Sequence, residues 1–160
     1  MALFGDIQMV RGADGQYLIK EFSVYDPPWD FSRTRIFAPP YPEDRLPSKI
    51  WRQNRYAWTY IHGLRWDEGD IPYSELEKTI KDLVLSPLLF VKGLEKKEIL
   101  QKILPSVAVV NIESFGCPRL KCMPRLNGSH HSRTHVFCPL RSCAELNAKN
   151  IGLWYTFTHL

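Results

Sequence analysis

The sequence has no run of about 18 apolar residues, the length a helix needs to cross a bilayer, so no α-helical membrane span is written into it. Glycine is sparse, at 9 of 160 residues, and shows no period, which excludes a collagen-like chain. Internal repeats and low-complexity linkers are also missing. The start, Met1-Ala2-Leu3-Phe4-Gly5-Asp6, has neither a basic region nor a long apolar stretch and reads as no signal peptide. The expectation is an intracellular protein of the cytoplasm or nucleus, in which the four cysteines serve as thiols or metal ligands rather than bridges. Between Glu113 and Glu145 there is no acidic residue at all, only Arg119, Lys121, Arg125, Arg133, Arg141 and three histidines.

What is present fits one globular domain over residues 1–160: 44% hydrophobic, 12% aromatic and 24% charged residues. The net charge of +4 (21 basic minus 17 acidic) is weak evidence for a polyanionic partner, but its distribution says more. Arg33, Arg35, Arg45, Lys49, Arg52, Arg55 and Arg65 face only Glu43 and Asp44 in the same stretch. Two basic regions flanking a mildly acidic one suit a phosphate-facing surface.

The pattern opens with a hairpin. Asp6–Val10 alternates polar and apolar, Gly12-Ala13-Asp14-Gly15 turns, and Tyr17–Tyr25 is rich in aromatic and β-branched types. In that second strand Tyr17, Ile19, Glu21, Ser23 and Tyr25 are expected on one face, with Leu18, Lys20, Phe22 and Val24 on the other. A third strand around Thr34–Phe37 stops at Pro39-Pro40. A helix capped by Ser48 then runs through Ile50, Trp51, Tyr56, Trp58 and Ile61 to Gly63, with Lys49, Arg52 and Arg55 opposite part of its apolar stripe. Ser74 and Glu77 match a capping box for a second helix through Leu83. Leu88–Val91 and Val107–Ile112 are continuous apolar strands joined by an amphipathic helix from Leu94 to Leu104, a right-handed parallel unit. A polar loop from Ser114 to about Phe137 precedes a last helix from Pro139 to Lys149. The expected class is mixed α/β: a three-stranded antiparallel meander continued by parallel strands, with helices packed on the sheet.

Cys117, Cys122, Cys138 and Cys143, with His130, His131 and His135, crowd the Cys/His-rich loop at about 114–138 and its edge. The residues admit structural zinc, reduced thiols without metal, or a redox thiol. For zinc, His131 and Cys138 pair with Cys122 or Cys117, and a carboxylate or His130 completes the tetrahedron. Cys143, five residues after Cys138, would lie about 140° around a helix and reads as a small buried apolar residue.

This element order resembles the ribonuclease H-like fold, in particular the DEDDh 3′-5′ exonucleases and the related Maelstrom domain. Asp6-Ile7-Gln8 resembles Asp-x-Glu on the first strand of those exonucleases. Val91–Leu100 resembles the strand-to-helix segment that brings an aspartate to their metals, with that position near Lys97. Cys138-Pro139-Leu140-Arg141-Ser142-Cys143 resembles the His-Ala-Leu-x-Asp-Ala segment, with Cys138 and Ser142 in place of the base and the final aspartate. Two-metal hydrolysis needs several converging carboxylates. Here only Asp6, with Glu21 as companion, would remain, so the resemblance implies no catalytic residues of the standard kind. The Maelstrom domain has likewise lost those acids and holds zinc through one Glu, two Cys and one His. By that likeness the spacing of His131 and Cys138 resembles its distal ligands, and Glu21 or Glu113 would supply the carboxylate. Arg52-Gln53-Asn54-Arg55 and His62-Gly63-Leu64-Arg65-Trp66 are also similar to features of a set of insect and mobile-element proteins.

The leading functional expectation is a zinc-stapled, catalytically degenerate domain that binds RNA or single-stranded nucleic acid. Lys49, Arg52, Arg55, Arg119, Lys121 and Arg133 would contact phosphate, and exposed aromatics such as Trp66 or Tyr41 would stack bases, although core packing is the preferred reading of any one of Trp51, Trp58 and Trp66. One alternative is RNA cleavage without metal, using His130 or His135 beside Arg133 or Lys121. Another is a protein-interaction scaffold that presents Pro39-Pro40-Tyr41-Pro42.

Overall fold

The computed structural model describes residues 2–123 and 143–159. Five strands form one mixed sheet: β1 (Ala2–Arg11), β2 (Tyr17–Asp26), β3 (Phe31–Ile36), β4 (Leu88–Val91) and β5 (Ala108–Asn111). Their order is β3-β2-β1-β4-β5, antiparallel across β3-β2-β1 and parallel across β1-β4-β5. The mixed class expected from the sequence is thus present. β1 begins earlier than its alternation indicates, because Ala2, Leu3 and Phe4 pair with Leu88, Leu89 and Phe90 of β4.

The expected faces of β2 hold only beyond Lys20. Gln8 pairs with Glu21 but Met9 pairs with Ile19, so Lys20 is an extra residue on β2, a β-bulge. Ile19 therefore joins Phe22 and Val24 in the same apolar cluster, across the alternation that would have separated them. Lys20 is 2% exposed, and its ammonium donates to the carbonyls of Phe37 (3.0 Å), Trp66 (2.6 Å) and Glu68. Burial pushes its pKa down to about 8, opposed by the charges of Glu68 and Asp67.

Four helices complete the described chain: α1 (Ser48–Ala57), α2 (Leu76–Leu83), α3 (Leu94–Ile103) and α4 (Ala144–His159). Pro47, not Ser48, occupies the cap position of α1, and no side-chain capping bond forms there or at the start of α2. A π-helical turn, Trp58–His62, extends α1 to Gly63, whose φ of 72° ends the run as the sequence indicates. α2 and α3 cover one face of the sheet, with Leu76, Ile80, Leu83, Leu100 and Leu104 against Ile7, Phe22, Leu89 and Val109. α4 covers the other, with Ala148 and Ile151 against Phe4, Tyr25 and Phe90. It runs to His159, beyond the expected end at Lys149, because its later turns still bury apolar surface. Gly152 permits this close approach: a Cβ there would stand 2.7 Å from the Tyr25 ring.

The stretch after β5 is not structureless. Short 3-10 turns at Ile112–Phe115 and Leu120–Cys122 tie it down, and Cys117 and Met123 are buried in the cluster beneath α4.

Candidate functional site

Two features stand out: a buried polar centre in the middle of the sheet and a cationic, aromatic surface on α1. The first is built on Asp6, 3% exposed in β1. Its Oδ1 accepts from Lys96 Nζ at 2.6 Å, and its Oδ2 accepts from Asn147 Nδ2 at 2.8 Å and from Gln8 Nε2 at 3.4 Å. Lys96 lies in the first turn of α3 and Asn147 in the first turn of α4, so both helices converge on one strand residue. Glu21 stands opposite Gln8 on β2, and its Oε1 accepts from the amide of Ala144 at 2.8 Å, a carboxylate at the start of α4.

The residue that reaches Asp6 from α3 is Lys96 rather than Lys97. A step of one residue turns a helix by about 100°, which a degenerate motif cannot resolve. Asn147, which the sequence reading passed over, reaches Asp6 from the last helix; Cys138 and Ser142, expected at the corresponding places, lie outside the described residues. The centre therefore offers two buried carboxylates, one of them already held by an ammonium and two amides. A metal pair requires several carboxylate oxygens directed at the ions.

The residues expected to bind zinc are distributed unevenly. Cys117 is buried, with its Sγ 3.7 Å from the Pro118 carbonyl, and burial pushes the thiol pKa up. Cys122 is exposed at the end of its 3-10 turn. Glu113 pairs with Lys92 at 3.1 Å and accepts from Asn111 at 3.2 Å; these bonds hold its carboxyl below the usual range. Among the described residues no three His, Cys, Asp or Glu side chains are grouped to hold a metal ion. His131 and Cys138 lie outside the described residues, as do His130 and His135. Cys143 is 1% exposed, in keeping with its reading as a small apolar residue.

The second feature starts from an unusual anchor. Asn54 is the one buried residue of α1, and it clamps the backbone of Arg11: Oδ1 accepts from the amide and Nδ2 donates to the carbonyl, both at 2.8 Å. At 100° per residue, Asn54 and Ile50 define the inner side. Lys49, Tyr56, Arg52, Arg55 and Trp51 then fan across the outer side, and all five are exposed. The apolar residues of this run are divided: Ile50 and Trp58 are half-buried, whereas Trp51 is 37% exposed, Tyr56 61% and Ile61 39%. The Arg55 guanidinium lies 5.4 Å from the centre of the Trp51 ring, and that of Arg65 lies 4.5 Å from Trp58. These pairs border a groove of about 330 Å³ between α1 and the segment around Trp66.

Trp66, as its core-packing reading expects, lies in the interior, and Tyr41, the other aromatic named for base stacking, packs against it. Trp66 is 3% exposed and donates from Nε1 to the Tyr41 carbonyl at 2.9 Å. The Tyr41 hydroxyl accepts from the Ala13 amide at 2.6 Å, which turns this ring inward from the proline-rich segment. Arg119 is exposed beyond β5. Nothing is described of the Lys121 side chain or of Arg133. The structure thus groups Lys49, Arg52 and Arg55 and adds Arg65, Trp51, Tyr56 and Trp58. Their sequence signal was the alternation of aromatic and basic types from Trp51 to Arg65. No protein-family model matches the chain, and no curated protein matches its sequence. Among the described residues no helix is long and apolar enough to cross a membrane.

Proposed function

We propose that this chain is a catalytically degenerate ribonuclease H-like domain that binds RNA or another single-stranded nucleic acid through the outer side of α1. The strand order and directions support the fold part of this reading. Asp6 supports the loss of catalysis, because Lys96, Asn147 and Gln8 occupy its oxygens where a two-metal centre would place ions.

The observation that carries the binding role is α1 itself. A helix normally packs its large apolar residues inward. This one docks through an asparagine and displays Trp51 and Tyr56 among Lys49, Arg52 and Arg55. Cations for phosphate interleaved with rings for bases are the two components of single-strand recognition. Fluorescence anisotropy of a labelled single-stranded RNA, titrated at rising salt, tests it. Affinity falls with salt, and replacing Lys49, Arg52 and Arg55 together by Gln makes the log–log slope shallower by about 2. Absence of binding at low salt overturns the reading.

Zinc belongs to the same proposal, with Cys117, Cys122, His131, Cys138 and Glu113 as the donor set. Cys117 and Glu113 lie close enough for the charge of one to influence the other. Zinc binding would have to displace the Cys117 proton and compete with Lys92 for Glu113. Elemental analysis of the purified protein should find one equivalent of zinc, and a metal-free folded protein removes this part alone.

A further inference from the structure

The groove beside α1 combines groups that do not all serve phosphate binding. Trp51 and Trp58 supply flat walls, and Arg55 and Arg65 stack on them as planar cations. Two acidic residues, Glu43 and Asp67, line the same space; neither forms an ion pair or side-chain hydrogen bond with a described residue, and the charge of Asp67 also acts on the buried Lys20 ammonium. Acidic groups would repel a phosphate brought into the groove. They accept hydrogen bonds and donate none when ionised. A ligand that enters here must therefore stack and must present donors.

We infer that this groove takes a guanine base of a single-stranded nucleic acid, read by a carboxylate from Glu43 or Asp67. Among the bases, guanine alone offers two adjacent donors on its Watson–Crick edge, N1–H and the N2 amino group, which match the two oxygens of one carboxylate. Adenine, cytosine and uracil each set a donor beside an acceptor, and a carboxylate faces that acceptor with a lone pair. The groove volume suits one stacked base, and splayed bases are commonly held on aromatic and guanidinium planes. Arg52, exposed next around α1 from Arg55, would hold a flanking phosphate, and Lys49 lies farther around the helix from the groove. The inference rests on the proposed binding of single strands and adds a base preference to it.

Anisotropy titrations with the full chain and three labelled probes test this. The probes are a short oligouridine, the same oligomer with one central guanine, and the same with one central adenine. The guanine oligomer binds about tenfold more tightly than either of the others, the discrimination one paired contact to a base supplies. The double variant Glu43→Gln, Asp67→Asn still binds oligouridine, at least as tightly as the parent because two repelling charges are gone, and loses the preference for guanine. Trp58→Ala weakens the guanine oligomer while the variant retains the far-ultraviolet circular dichroism of the parent. Equal affinity for guanine and adenine oligomers overturns the base assignment but leaves single-strand binding standing. A guanine preference that survives the double variant also overturns it. Failure of all three probes to bind overturns the binding reading and this inference with it.

Discussion

Asp6 and Lys20 show how single side chains decide what this interior can do. A buried carboxylate that loses its partner costs about 3–5 kcal/mol, which explains why three donors from three different elements close on Asp6. Lys20 presents the opposite charge, with three carbonyls around its ammonium. Its pKa of about 8 lies below the ordinary lysine value of 10.5, so between these values the unfolded chain binds more protons than the folded one. Stability therefore rises with pH from about 8 toward 10, by at most about 3 kcal/mol from this residue. Tyr25, raised to about 12 by burial and by the neighbouring Asp30 and Asp26, and Tyr73, also raised by burial, have the reverse effect. Each favours the protonated folded state, so stability declines as pH rises above about 10. Urea titrations across this range should give a maximum near pH 10, and in Lys20→Met the rising limb disappears. A rising limb that persists in the variant would show that Lys20 is not its source. The place of Asp6 was legible in the sequence; its partners and the role of Lys20 were not. The Lys20 bulge carries no glycine or proline to mark it and depends on carbonyls more than 40 residues away for two of its three bonds.

The elements themselves were largely readable, and the exceptions share a cause. β4, β5 and α3 fall close to where their apolar runs and helical spacing place them, since burial on known faces dictates both. α4 outlasts its expected end because its later turns still bury apolar surface, and Gly152, a poor helix former, is tolerated there because only it fits against Tyr25, a reason that exists only in three dimensions. α1 lies where its helical spacing and Gly63 place it, with Lys49, Arg52 and Arg55 exposed as their expected phosphate role requires, and the Asn54 clamp is what shows which side faces β1. Ile50 packs against the cluster of Val10, Leu46 and Trp66, and the clamp adds two hydrogen bonds to that docking. Asn54→Ala leaves the Arg11 amide and carbonyl without their partner and should cost about 1–3 kcal/mol. It should also weaken RNA binding together with the loss of α1 protection in hydrogen exchange. Unchanged exchange in α1 would mean that other contacts hold it.

For the molecule as a whole, the proposed reading is a division of labour. The sheet holds an interior polar centre in which amides and an ammonium stand around one carboxylate, while the proposed binding surface is α1, clamped to Arg11 at the end of β1. The polar centre was legible in part: Asp6, Gln8 and Glu21 could be picked from the strands, but Lys96 and Asn147 reach them only once two helices have packed. The cationic helix was legible in its charges and not in its aromatics. The most direct test is one native gel of labelled single-stranded RNA with the full chain, run at low and moderate salt with magnesium present. The account predicts a salt-sensitive complex from which full-length RNA is recovered. RNA shortened in a magnesium-dependent manner, or no complex at low salt, would contradict it.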